Sequence, residues 1–187
     1  PGCGHGMILK TLAKSIDELE LNERAVFGCD IGCSLLSWNY MNLDTVQTHH
    51  GRTTPVIYGV TRANPGTVGI AYMGDGGGLA IGAQHLVNAA TRSENLLVIV
   101  ANNTNYGMTG GQMSPTTMPG QKTETTPYGR DPEVTGRPAK AAELVAAIAD
   151  PNKAYVARAS VSNLRKLSTI FKKALKNTAQ GGYSFVE

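Results

Sequence analysis

The segment Gly74-Asp75-Gly76-Gly77-Gly78 sets one carboxylate among glycines, where an apolar stretch (67–73) gives way to an Ala- and Leu-rich one (79–91). A carboxylate at the carboxyl end of a buried strand turns toward the crevice where open α/β sheets take their ligands. Glycines let backbone N–H groups approach a phosphate, and a helix that follows points its positive end there. An acid would repel that phosphate. A divalent cation between them removes the conflict, and Mg²⁺ commonly takes few protein ligands plus phosphate oxygens. A second polar pair, Asn102-Asn103, ends the next apolar stretch (96–101), one helical crossover later. Strand ends connected in that way lie side by side, so Asp75 and Asn103 converge. An octahedral site can then use a carboxylate oxygen, an amide oxygen, a backbone carbonyl and two diphosphate oxygens, five of its six ligands. Taken alone, the glycine segment also fits a plain turn in which Asp75 caps a helix.

Thiols and imidazoles add further candidates. There are three cysteines, Cys3, Cys29 and Cys33. An odd number without a secretory signal argues for thiol or metal chemistry in a reducing, cytoplasmic setting rather than a disulfide scaffold. Cys29 and Cys33 are spaced for one site, yet each also reads as a buried apolar thiol. His49-His50-Gly51-Arg52 precedes Thr53-Thr54-Pro55 and reads as a strand-to-helix turn. Neighbouring side chains on a strand face opposite ways, so the two histidines cannot serve one site from regular strand. Polar residues capping a turn are the plainer account of them. His5 and His85 are isolated and read as structural.

These residues need a scaffold. Strand signals at 25–28, 67–73, 96–101, 155–159 and 183–186 alternate with helical spacing at 8–21, 79–91, 139–149 and 163–177. That rhythm predicts βαβ units, an α/β fold with a doubly wound parallel sheet. One interval breaks it: 102–138 is rich in Gly, Thr and Pro and has no sustained period, which in a compact domain points to function. The 187 residues, 41% hydrophobic and 17% charged, make one domain, 1–187, with enough apolar content for a core. A net charge of +3 without interleaved aromatic and basic residues argues against nucleic acid, and no apolar run approaches a membrane span. Seven basic and no acidic residues between Lys153 and Lys176 read as a solvated helix face, with an acidic protein or CoA phosphates as alternatives. A start at Pro1 rather than Met reads as a piece of something longer.

The segments PGCGHG, DIGCS, HHGR, GDGGGLAIGAQH and NNTNYGMTGGQMSPTT together resemble the thiamine diphosphate-binding β subunit of the 2-oxoacid:ferredoxin oxidoreductases, most of all its 2-ketoisovalerate branch. The resemblance implies the thiamine diphosphate-binding fold of pyrophosphate type. It implies Mg²⁺ ligation by the side chains of Asp75 and Asn103 and the carbonyl of Asn105, with diphosphate on the N–H groups of Gly76 and Gly77. Ile31, Gly32, Cys33, His50, Gly74, Tyr106, Gly107, Met108 and Thr109 would line the cofactor, Met108 under the thiamine rings. His50 and Arg52 would be catalytic at the mouth, where a planar guanidinium suits a carboxylate or phosphate.

The same resemblance assigns Cys3 and Cys33 as the second and third thiolates of a [4Fe–4S] cluster whose other two ligands lie outside this chain. The cluster is then expected in the intact subunit and absent here, with the chain truncated at both ends. Cys29 has no place in that set. The implied partners are an α subunit that supplies the glutamate activating the aminopyrimidine, a ferredoxin or ferredoxin-like subunit, CoA and a 2-oxoacid. Where 2-oxoglutarate enzymes of the family often carry lysine, this chain has Gly110, which favours a branched apolar substrate. The alternatives are the same chemistry on 2-oxoglutarate or pyruvate, and a non-catalytic nucleotide- or phosphate-binding module. The stretch 110–138 would be a lid or a subunit contact.

Overall fold

The computed structural model describes residues 2–187. From the amino end it runs through α1 (His5–Asp17), β1 (Ala25–Cys29), β2 (Asp44–Gln47), α2 (Thr53–Ala63), β3 (Val68–Gly74), α3 (Ala83–Thr91) and β4 (Leu97–Ala101). A small pair, β5 (Asn105–Tyr106) and β6 (Gln112–Met113), is followed by α4 (Pro132–Thr135), α5 (Ala141–Ile148), β7 (Ala154–Ala157), α6 (Leu164–Ala179) and β8 (Tyr183–Val186). Six strands form one sheet in the order β2-β1-β3-β4-β8-β7, every pairing parallel.

Strand β4 shows how the sequence dictates the layers. All of LVIVA is buried, and its side chains alternate between two cores. Leu97, Ile99 and Ala101 join Ile70 and Tyr72 of β3 beneath α1 and α6. Val98 and Val100 join Ala71 and Met73 beneath α2, α3 and α5. A sheet covered on both faces has no polar side, which is why its central strands read as continuous apolar runs. Gly28 and Gly69 mark where α2 lies closest: a Cβ at either would press into Ile57, at 2.6 and 2.7 Å.

The structure departs from the sequence expectations where glycine or polarity decides. Helix α1 stops at Asp17, because Glu20 turns the chain in the left-handed region (φ 54) before Leu21 returns to the core. The helix expected over 79–91 begins instead as a π-helical turn, Gly77–Ile81, and only then continues as α3. The turn is held open because Gly82 packs directly on the backbone of Gly77 and Gly51. Strand β2 (DTVQ) carries no apolar alternation because it is an edge, with three of its four residues exposed. The 3₁₀ stretch Cys33–Tyr40 likewise has no sustained period. The interval 102–138 is well packed: Arg130, 5% exposed, donates to the carbonyls of Ser114, Pro115, Thr117, Thr135 and Gly136. Of the basic residues in 153–176, Arg158 pairs with Glu143 and Glu187 and Lys172 with Glu18. No helix of the described residues is long and apolar enough to cross a membrane.

Candidate functional site

Three strand ends meet on one side of the sheet. Parallel pairing sets Cys29 of β1 opposite Tyr72 of β3, and Gly74 of β3 opposite Ala101 of β4. The chain moves outward from β1 to β2, then restarts on the other side of β1 with β3. The β1/β3 junction is therefore the topological switch point, where open α/β sheets leave a crevice. A cavity lies there. It brings together Ile31, Gly32 and Cys33 after β1, His50 after β2, Gly74, Asp75, Gly76 and Gly77 after β3, and Asn103, Asn105, Tyr106, Gly107, Met108 and Thr109 after β4. His5 and Ser34 complete the lining.

Asp75 is 3% exposed, and hydrogen bonds hold both of its oxygens. Oδ1 accepts the Gly76 N–H at 2.8 Å; Oδ2 accepts the Ser114 hydroxyl at 2.7 Å and lies 2.9 Å from that of Thr116. Such pairing is what a buried carboxylate requires. The asparagine pair divides its work. Asn102 turns aside to Thr116, the Thr104 N–H and Glu187, while Asn103 lines the cavity and accepts the Asn105 N–H at 3.4 Å. Between them Thr104 has φ 63, a strained geometry for a β-branched residue. Thr117 and Gln121 fix it by bonding its carbonyl and hydroxyl.

Gly76 and Gly77 have no room for a side chain: a Cβ would run into the Tyr106 ring at the first and the Asp30 carboxylate at the second. Backbone alone faces the cavity there. One carboxylate, one amide oxygen and the Asn105 carbonyl that follows the bend at Thr104 form an oxygen donor set that suits Mg²⁺, beside a glycine cradle that suits diphosphate. The residues present fit that cation and that cofactor end.

Cys29 stands apart from the other two thiols. Cys29 is core, its Sγ 3.8 Å from the Val46 carbonyl, and burial pushes its thiol pKa up. Cys3 is exposed and lies outside the cavity, in a separate apolar hollow between α1 and the 3₁₀ stretch, which Cys33 also borders. Among the described residues no three His, Cys, Asp or Glu side chains gather as a metal set.

Arg52 is not part of the cavity lining and sits beside it, next to His50. Gly51 turns the chain so that Arg52 becomes the residue before α2, with its guanidinium 3.5 Å from the His50 carbonyl. It lies close enough to His85 to add to the depression of that imidazole's pKa, which burial dominates. His5 also lines the cavity, with Nδ1 2.5 Å from the hydroxyl of the buried Tyr72. Its pKa is lowered by burial, against the pull of Asp75. Ser114, Thr116 and Asp30 were not singled out as site residues. Their only signal is membership of the segments NNTNYGMTGGQMSPTT and DIGCS.

Residues 30–187 match the family of the thiamine pyrophosphate enzyme C-terminal TPP binding domain. The ketoisovalerate oxidoreductase subunit VorA of Methanothermobacter thermautotrophicus is 41% identical over all of this chain, which spans 39% of that protein. The 2-oxoglutarate synthase subunit KorB of the same organism is 37% identical, again over the whole chain and 62% of the relative. Among solved structures, the 2-oxoglutarate:ferredoxin oxidoreductase from Magnetococcus marinus, with 2-oxoglutarate, coenzyme A and succinyl-CoA bound, superposes with a TM-score of 0.89 at 28% identity. The match covers 100% of this chain and 61% of that one. The chain thus spans about two fifths to three fifths of the length of these relatives.

Proposed function

The chain belongs to the thiamine pyrophosphate enzymes, among the thiamine-binding subunits of the 2-oxoacid:ferredoxin oxidoreductases, and from that premise we propose that it holds thiamine diphosphate and Mg²⁺ for the oxidative decarboxylation of a branched-chain 2-oxoacid. The observation that carries this reading is the convergence of Asp75 and Asn103 beside two glycines that admit no side chain. Asp75 and Asn103 would ligate the metal through side chains and Asn105 through its carbonyl. The Gly77 N–H would take the diphosphate, joined by that of Gly76 once Asp75 Oδ1 turns to the metal, and residues 106–109 would enclose the rest of the cofactor. When bound, thiamine diphosphate supplies the carbon nucleophile for a 2-oxoacid's ketone and the ring that holds the electron pair as CO₂ leaves. Acyl transfer to CoA and electron delivery to ferredoxin belong to the assembled protein, together with an α subunit that provides the activating glutamate and a complete [4Fe–4S] cluster.

Among the described residues the cavity lining contains no lysine or arginine. Gly110 lies just past it, in the left-handed region (φ 113). A substrate with a second carboxylate would find no cation there, which supports an apolar branched side chain. Competition between 2-ketoisovalerate, 2-oxoglutarate and pyruvate in the assembled complex, with CoA and ferredoxin, tests this. We expect kcat/KM to favour 2-ketoisovalerate by about tenfold or more, the scale of discrimination such pockets reach. A preference for 2-oxoglutarate would overturn the assignment of substrate.

A further inference from the structure

The turns leaving β1 and β2 meet over a carboxylate to which the cofactor reading gives no task. Asp30, the first residue beyond β1, is fully buried. A carboxylate in that position is costly unless donors surround it. Its Oδ1 accepts the Gly51 N–H at 2.6 Å and the Thr53 hydroxyl at 3.3 Å. Its Oδ2 lies 2.9 Å from His50 Nδ1. Burial pushes the Asp30 carboxyl pKa up, and these same hydrogen bonds pull it back. Glycine is required at 51: φ is 71, and a Cβ would meet the Gly82 nitrogen at 2.7 Å. The turn that lowers an N–H onto Asp30 therefore also aims the His50 ring.

That ring borders the cavity, and its side chain is 44% exposed. Gly77 packs on the pair from the other side, where a Cβ would strike Asp30 Oδ2 and come within 3.6 Å of His50 Cε1. Among the described residues no hydrogen bond engages His50 Nε2. A neutral imidazole has one N–H and one bare nitrogen, and the partner of the first decides the role of the second. With Oδ1 already filled by two donors, Oδ2 is left to accept from Nδ1.

We propose that Asp30 is a positioning residue for His50: it accepts the Nδ1–H, holds the ring against Gly77 and leaves Nε2 as a bare nitrogen presented to the cavity. This rests on the reading of the cavity as the thiamine diphosphate site. There, Nε2 would accept a proton from a hydroxyl or thiol of the reacting molecules. The arrangement follows the same logic as the aspartate that sets the histidine tautomer in serine proteases.

The test is ¹⁵N-imidazole correlation spectroscopy on the 187-residue chain, at a pH high enough that raising it further no longer moves the ring signals, with His50 assigned by the signals lost in His50→Gln. The expected pattern is a protonated Nδ1 and a bare Nε2. Asp30→Asn keeps the volume, but the Gly51 N–H will claim its amide oxygen and turn its NH₂ toward Nδ1. That pattern should then be lost in favour of Nε2–H. In the assembled complex the same change should lower kcat about a hundredfold or more with little change in KM, the scale of a misplaced acid–base group. An Nε2–H tautomer in the unaltered chain would overturn the proposal even if Asp30→Asn failed to fold. So would an unchanged pattern, or an unchanged kcat, in a folded Asp30→Asn. The tautomer is read without ligand, so thiamine diphosphate titrated into the same sample separates the two ideas. Failure to bind contradicts the cofactor reading alone, and the wrong tautomer contradicts this one alone.

Discussion

Asp75 keeps its geometry through hydroxyls supplied from 39 and 41 residues downstream, Ser114 and Thr116. The Ser114 hydroxyl donates to a buried carboxylate, and bonds of that kind contribute roughly 1.5–3 kcal/mol. Ser114→Ala should therefore lower the urea midpoint by a corresponding amount, and it should weaken Mg²⁺-dependent ligand binding as well, because the freed oxygen can turn. The glycine beside it is equally constrained. Gly77→Ala drives a methyl into the Asp30 carboxylate, an overpacking change that costs about 1–3 kcal/mol, readable as a drop in thermal midpoint. Asp75 was legible in the sequence because a lone acid among glycines is a local signal. Ser114 was not, since its partner lies far away in the chain and no period connects them. The direction of the Arg52 side chain is not legible for the converse reason: its motif is local, but the turn at Gly51 sets where it points.

At the level of elements, the strands were legible and the irregular segments were not. Continuous β-branched runs announce β3 and β4, whereas the π-helical turn at Gly77–Ile81 and the polar edge strand β2 leave no periodic trace. The interval 102–138 has no period because individual side chains order it, the buried Arg130 guanidinium above all, rather than a repeating pattern. Arg130→Met would leave several buried carbonyls without a donor, each costing about 1–3 kcal/mol. Limited proteolysis should then cut between residues 115 and 137 faster than in the unaltered chain. A weaker tie joins α5 to β7. Arg158 beside Glu143 holds that carboxyl down to about 2. A depressed carboxylate stabilises the fold above its unfolded pKa and loses that contribution as pH falls through the folded value. Urea midpoints measured from about pH 5 down to about pH 3 should thus fall less steeply in Glu143→Gln, and salt should narrow the difference because the pair is exposed.

For the whole molecule, a doubly wound parallel sheet follows from alternating strand and helix signals. The position of the site follows from the sheet's order, since the β1/β3 switch point gathers loops that are distant in sequence. Residues from each segment that carries the resemblance converge there without sharing any one element. The central claim is that this cavity is built for a diphosphate held through a divalent cation. Thermal unfolding of the chain with thiamine diphosphate and Mg²⁺, set against ATP and NAD, tests it most directly. At about a hundredfold excess over Kd, binding adds about 2.7 kcal/mol, a rise of about 5–10 °C for a chain of this length. The account predicts that rise with thiamine diphosphate and Mg²⁺ only, and its loss in Asp75→Ala; a rise with ATP or NAD and none with thiamine diphosphate would contradict it.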